Sequence, residues 1–116
     1  MFQNDDERAA RAAQVAYALA HPVRLQVLEA LAQGGAYVMD LTRALGRRQA
    51  NISQHLAVLR EAGLVRAERE GMTVRYVLNS DKVPEVLAAL DALAEGVPPY
   101  AVGRRRRRRR GRRGGL

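Results

Sequence analysis

The sequence predicts a mainly α-helical domain that carries one β-hairpin, and three observations lead there. Two apolar-striped segments, one ending at Gly46 and one beginning near Arg48, are separated by little more than Arg47. The second, Arg48–Val65, keeps its outward positions free of aspartate and glutamate as far as Glu61. Immediately beyond it, two runs of alternating residues flank Gly71-Met72. Two short helices joined by a glycine-containing turn make a helix-turn-helix, and a hairpin directly after the second helix is the wing of a winged helix-turn-helix. At 116 residues the chain is one such domain, small enough that a partner subunit could usefully complete its core.

The elements follow in order. Asp5 to Ala20 is alanine-rich and helix-favouring, and Asp5, Asp6 and Glu7 stand at the positive end of its dipole. His21-Pro22 interrupts that helix. Proline suits the first position of a new helix, and His21 before it reads as a cap, since a lone histidine makes a poor metal site. The second helix runs to about Ala32, with Leu25, Val27, Leu28 and Leu31 as its apolar face, and Gly34-Gly35 ends it. A short third helix sets Val38, Leu41 and Leu45 at i, i+3 and i+7 and closes at Gly46.

The helix within Arg48–Val65 anchors itself with one face and presents the other. With Ile52 as zero and a step of about 100° per residue, Leu56 and Leu59 fall within about 40° of it. Ala50 and Gln54 point the opposite way, and Asn51 and Ser53 lie on the flanks. A helix end that enters the major groove needs short side chains for close approach, with amides or hydroxyls that meet base edges. His55 falls about 60° from the centre of the stripe, which favours a structural or phosphate-side role over base reading. Gly63 supplies the C-cap, because glycine takes the left-handed conformation without steric cost. Taken alone, this helix also fits an ordinary polar-faced surface helix; its neighbours argue against that.

In the hairpin, LVRAERE and TVRYVLN are joined by a two-residue turn with glycine first. The register then pairs Glu70 with Thr73, Ala67 with Tyr76 and Val65 with Leu78. Val65, Ala67, Val74, Tyr76 and Leu78 share the face toward the helices; Arg66, Glu68, Arg75 and Val77 share the other. Arg69 aligns with the inner set but lies near the tip, where it turns outward. The last helix starts near Ser80-Asp81, holds Pro84 in its first turn, ends at Gly96, and has Val86, Leu87, Leu90 and Leu93 along one side. These elements define a winged helix-turn-helix domain over residues 1–96, read as DNA-binding. Residues 97–116 read as a disordered, basic arginine-glycine tail, opened by Val97-Pro98-Pro99 and too charged to pack.

Charge and composition narrow the function. The net charge of +8 is concentrated: Arg104, Arg105, Arg106, Arg107, Arg108, Arg109, Arg110, Arg112 and Arg113 are nine of twenty basic residues, with no acid among them. Eleven basic and twelve acidic residues remain, so the domain itself is near neutral and any nucleic-acid contact depends on where its charges lie. The chain has no cysteine, which removes disulfides, thiol redox chemistry and thiolate metal ligands. No apolar run of spanning length and no signal peptide is visible, so a cytoplasmic protein without membrane contact is expected. No nucleophile–base pair or carboxylate cluster at useful spacing suggests an enzyme, and neither a cofactor nor a metal is expected.

Four pieces of the chain carry a family resemblance: ALAHPVRLQVLEAL (Ala18–Leu31), DLTRALG (Asp40–Gly46), QANISQHLAVLREAGLV (Gln49–Val65) and REGMTVRYVL (Arg69–Leu78). In these, over roughly Val15 to Glu95, the chain resembles the ArsR/SmtB family of bacterial repressors. The resemblance implies a homodimer pairing through the first and last helices and binding an inverted repeat in double-stranded DNA. Matched by position, it implies DNA contacts from Gln49, Ala50, Ser53 and Gln54; the helical wheel adds Asn51. Arg47 and Arg48 stand where the family often has a leucine and a capping serine, which adds charge beside the phosphates and costs a cap worth about 1 kcal/mol. The family's thiolate metal site falls on Tyr37-Val38-Met39, which cannot replace two thiolates. Its second metal site falls on the last helix, where Asp81, Glu85, Asp91 and Glu95 occur without histidine.

The expected DNA-contacting set is therefore Arg47, Arg48, Gln49, Ala50, Asn51, Ser53, Gln54, His55, Arg66, Arg69 and Arg75, with the tail arginines as an unspecific phosphate-binding segment. Arg69 is the preferred wing contact, whereas Arg75 lies diagonally opposite Glu68 and a cross-strand ion pair competes for it. Tyr37 and Met39 are expected in the core or lining a pocket. Two functions from different classes compete. The first is a sequence-specific repressor; the second is an architectural DNA- or RNA-associated binder in which the tail dominates and the domain only dimerises. Neither the operator sequence nor an effector is legible in the residues.

Overall fold

The structure is a computed structural model that describes residues 1–98. Its elements run α1 (Asp6–Leu19), α2 (Pro22–Ala32), α3 (Val38–Leu45), α4 (Gln49–Glu61), β1 (Val65–Glu70), β2 (Thr73–Leu78) and α5 (Val83–Glu95). The disordered tail expected over residues 97–116 lies almost entirely outside the described residues.

Local chemistry sets the element ends. Asp5 caps α1 by accepting the Arg8 amide at 3.0 Å, and His21 Nδ1 caps α2 by accepting the Val23 amide at 3.1 Å. A capping histidine is unusual; here the ring also packs against that of His55. At the end of α4, Gly63 adopts φ +81°. The Leu64 amide then reaches the Leu59 carbonyl at 3.0 Å and the Gly63 amide the Arg60 carbonyl at 3.0 Å. This is a Schellman closure, and it turns the chain straight into β1.

The hairpin register matches the sequence expectation pair for pair, from Val65 with Leu78 to Glu70 with Thr73. Gly71 has φ +62°, and Met72 is not among the residues with positive φ. Positive φ at the first turn position alone is the type II′ arrangement, which demands glycine there. A third chain segment joins the sheet: Ala36 exchanges two backbone hydrogen bonds with Tyr76, at 3.0 and 2.8 Å. That bridge ties the base of the wing to the start of α3.

The core gathers one or more residues from most elements: Ala18, Val23, Val27, Leu28, Leu31, Leu41, Ile52, Leu56, Leu59, Val65 and Val83. Full burial of a leucine or isoleucine contributes about 1.5–3 kcal/mol, so the Ile52–Leu56–Leu59 stripe fixes which side of α4 faces inward. Three expectations are corrected. Leu25 is only half-buried on α2, and its place in the core is taken by Val23. On α5, Val86 and Leu93 stay exposed at 44% and 67%, since nothing among the described residues covers that side. Tyr37 and Met39 are exposed rather than in the core, since the first turn of α3 sits at the surface beneath the wing. Among the described residues, no helix is long and apolar enough to cross a membrane.

Candidate nucleic-acid interface

Helix α4 presents the surface its sequence implies. Gln49, Ala50, Ser53 and Gln54 are all exposed, opposite the buried Ile52, Leu56 and Leu59. Arg47 and Arg48 are exposed at the entry to the helix. Arg48 gives no side-chain cap, so the first amides of α4 have no partner within the helix. Open amides at a helix start favour an anion, and two arginines stand beside them. Among the described residues neither forms an ion pair. Asn51 is half-buried and differs from its neighbours: its Oδ1 is buried without a hydrogen-bond partner among the described residues.

His55 does not join that surface. It is 8% exposed and turned toward α2, which corrects the expected DNA contact. Its Nδ1 lies 3.3 Å from Nη1 of Arg24, and its ring stands 4.3 Å from that of His21 at a 48° tilt. Burial, helped by His21, Arg24 and Arg47, holds its pKa below the ordinary value of 6.5. The 60° offset from the stripe centre is small enough for the interior to claim the ring.

Arg24 is the functional candidate that sequence reasoning missed. It is 8% exposed, donates from Nε to the Ala18 carbonyl at 2.6 Å and from Nη2 to the Tyr17 carbonyl at 3.1 Å. Those carbonyls end α1, which has no basic residue in its own last turn. Arg24 thus brings a cation to the negative end of that helix from its neighbour. A signal is present in the spacing: Arg24, Val27, Leu28 and Leu31 stand at i, i+3, i+4 and i+7, so the arginine belongs to the inward stripe of α2.

The wing differs from α4 in how it uses charge. Glu68 accepts from Arg66 at 3.0 Å and from Arg75 at 3.4 Å. Arg66 also donates to the Leu78 carbonyl at 3.2 Å and to Asn79 Oδ1 at 3.3 Å. The Arg75 guanidinium lies over Gly35, where any Cβ would collide with it. Arg66 and Arg75 are therefore engaged within the protein, and the cross-strand pair expected to compete for Arg75 is formed. Exposed pairs of this kind are individually weak, but together they occupy both cations. At the tip, Glu70 accepts a hydrogen bond from the Tyr37 hydroxyl at 2.5 Å, which raises the tyrosine pKa above its ordinary value. Arg69 is exposed and, among the described residues, forms no ion pair.

The expected tail contacts Arg104, Arg105, Arg106, Arg107, Arg108, Arg109, Arg110, Arg112 and Arg113 lie outside the described residues. Among the described residues, no group of three or more histidine, aspartate and glutamate side chains is arranged to hold a metal ion.

Comparison with known proteins finds the same architecture. A family model described as "Bacterial regulatory protein, arsR family" matches residues 21–67, from the His21 cap through α4 into β1. A biofilm growth-associated repressor of Agrobacterium fabrum is 42% identical over 88 residues, covering 76% of this chain and 75% of that protein. The HTH-type transcriptional regulator NmtR of Mycobacterium tuberculosis is 40% identical over 83 residues, covering 72% and 69% respectively. Among solved structures, a homodimeric winged helix-turn-helix DNA-binding domain of Mycobacterium bovis matches with a TM-score of 0.70 at 35% identity, over 82% of this chain and 91% of that one. The transcriptional repressor BigR from Xylella fastidiosa matches with a TM-score of 0.70 at 34% identity, over 80% and 96%.

Proposed function

The chain belongs to the ArsR family of bacterial regulatory proteins, DNA-binding transcriptional regulators of winged helix-turn-helix fold, and on that premise we propose that it represses by reading an inverted repeat as a homodimer. The family regulates transcription and is not one of enzymes. The observation that carries the reading is the outer face of α4. Its exposed Gln49, Ala50, Ser53 and Gln54 form an acid-free surface beside Arg47 and Arg48, which form no ion pair among the described residues. In this reading Gln49, Ser53 and Gln54 meet base edges, Ala50 permits close approach, and Asn51 contributes from the flank. Arg47, Arg48 and Arg69 hold phosphates. These contacts position the domain, whereas base edges give it selectivity.

A dimer follows from what a single copy leaves uncovered. Tyr17 on α1 is 72% exposed, and Val86 and Leu93 on α5 are similarly open. Pairing through α1 and α5 would bury these side chains and bring two copies of α4 to one side of the molecule. One helix reads too few base pairs to be selective, so two half-sites are needed. The effector is not a metal ion in this reading, since the chain has no cysteine and only two histidines, both committed to the α2–α4 contact. The arginine tail adds affinity without discrimination.

Footprinting on the DNA upstream of the protein's own gene tests this. Two protected half-sites with centres roughly 34–36 Å apart, one DNA turn, are expected. Protection of a single half-site, or a monomer by sedimentation at micromolar protein, contradicts the proposal.

A further inference from the structure

A chain of contacts runs through the protein from the surface of α1 to the buried side of α4. It begins at Tyr17, whose exposed ring has the Arg24 Cζ 5.8 Å from its centroid. It continues through the Arg24 guanidinium, which holds the last carbonyls of α1, and ends at His55 Nδ1 on α4. We propose that Arg24 is a positioning residue for DNA reading: it sets α4 against α1 through neutral His55, and protonation of His55 releases that hold. The inference rests on the reading of α4 as the DNA-reading helix.

The hydrogen-bond chemistry makes the contact conditional. A guanidinium has only donors. Nδ1 of His55 must therefore accept, which places the ring proton on Nε2. An imidazolium carries N–H at both positions, so protonation sets one N–H against another at the 3.3 Å contact. The surroundings add to the effect. The groups acting on His55 are the Arg24 guanidinium and the His21 imidazole from α2, and the Arg47 guanidinium from the turn before α4. All three oppose a positive charge on the ring, and no carboxylate is among them. His21 is fixed in turn, because its own Nδ1 accepts the Val23 amide.

Two arguments distinguish this from ordinary core packing. First, Arg24 divides its donors between two helices that the chain connects only through α2 and α3, so it registers one against the other. Second, α1 is one of the two helices proposed to meet the partner subunit, and its Tyr17 ring covers Arg24. A change at that surface reaches α4 through a single side chain.

The sign of the pH effect follows from the lowered pKa. The folded state binds the His55 proton less readily than the unfolded chain. The contribution is therefore complete above the ordinary value of 6.5 and is lost as the pH falls below it. A single proton changes an equilibrium by at most about tenfold per pH unit.

The test compares wild type, His55→Asn, His21→Asn and Arg24→Lys. Asparagine at 55 offers an amide oxygen near the Nδ1 position but does not titrate, and asparagine at 21 keeps the cap. Binding to the upstream DNA of the protein's own gene is measured from about pH 7.5 to about pH 5.5, within the range where a histidine titrates. Wild type and His21→Asn should lose affinity on acidification by up to about tenfold per unit. His55→Asn should keep near wild-type affinity and lose that dependence, and Arg24→Lys should bind weakly at both ends. In the free protein, ¹⁵N NMR of the histidine rings should find His55 with its proton on Nε2. Amide exchange in the last turn of α1 and in α4 should accelerate together as His55 titrates.

A pH dependence that survives in His55→Asn, or that disappears in His21→Asn, overturns the inference. So does protonation of His55 with no change in α1 or α4 exchange. Wild type that ignores the DNA at every pH overturns the DNA reading instead, and the exchange measurement still decides whether the two helices are coupled. If Arg24→Lys fails to fold, His55→Asn alone carries the comparison.

Discussion

Helix α4 and the wing both put arginines on the surface next to polar residues, yet they leave them in opposite conditions. Around α4, Arg47 and Arg48 form no ion pair among the described residues, and the exposed side chains between them and Gln54 are amides, a hydroxyl and a methyl. In the wing, Arg66 and Arg75 clasp Glu68, while Tyr37 holds Glu70. Counting cations would rank the wing as the stronger DNA contact. Counting available cations leaves Arg69. On the proposed reading the difference separates two tasks: α4 is kept clear to meet bases, and the wing, braced against α3 through Tyr37 and Glu70, offers Arg69 to the backbone. Tyr37 also draws the Glu70 carboxylate toward α3, so the acid beside Arg69 has a partner.

The largest expected effect comes from breaking the anchor under α4. Leu59 is fully buried in the inward stripe, and Leu59→Ala should cost about 2–5 kcal/mol of stability. Chemical denaturation measures this directly. A destabilisation well under that range would mean α4 is held mainly by its turns and by the Arg24–His55 contact.

Next comes the reading face itself. Gln54→Ala should remove about 1–3 kcal/mol of discrimination at the base it meets, with the melting transition unchanged because the side chain is exposed. Competition between operator and variant duplexes measures it. Unchanged preference would mean that a different rotation of α4 faces the bases.

The wing should give a smaller and sequence-blind response. Arg69→Ala should weaken operator and random DNA alike and flatten the slope of log affinity against log salt by about 0.9, as expected when one arginine leaves the phosphates. Arg66→Ala and Arg75→Ala should move that slope less, since both side chains already serve Glu68. If Arg75→Ala matches Arg69→Ala, the ion pairs yield to DNA and the contrast between the two regions disappears.

Legibility in the sequence follows the range of the interaction. The α4 stripe and the hairpin register are periodic, and each is set by neighbours within a few residues, so Ile52, Leu56 and Leu59 and all the strand pairs are readable. Arg24 is also on a readable stripe, but its residue type suggests solvent where geometry requires burial. The last-turn carbonyls of α1 and the His55 ring account for an arginine there, and both come from other helices. His55 and Tyr37 depend on partners 31 and 33 residues away, which no local pattern encodes. On α5 the periodicity marks the apolar side, but among the described residues nothing packs on Val86 and Leu93.

On the proposed reading, selectivity belongs to the folded domain, through α4, and not to the arginine tail. The most direct measurement compares the full chain with a chain ending at residue 103, on the upstream DNA of its own gene and on a scrambled duplex, across a salt series. Removing nine arginines should weaken both complexes by similar factors and flatten both salt slopes, by about 0.9 for each phosphate that the tail neutralises. The ratio between the two affinities should remain. A shortened chain that no longer distinguishes the two duplexes would contradict the account and place recognition in the tail.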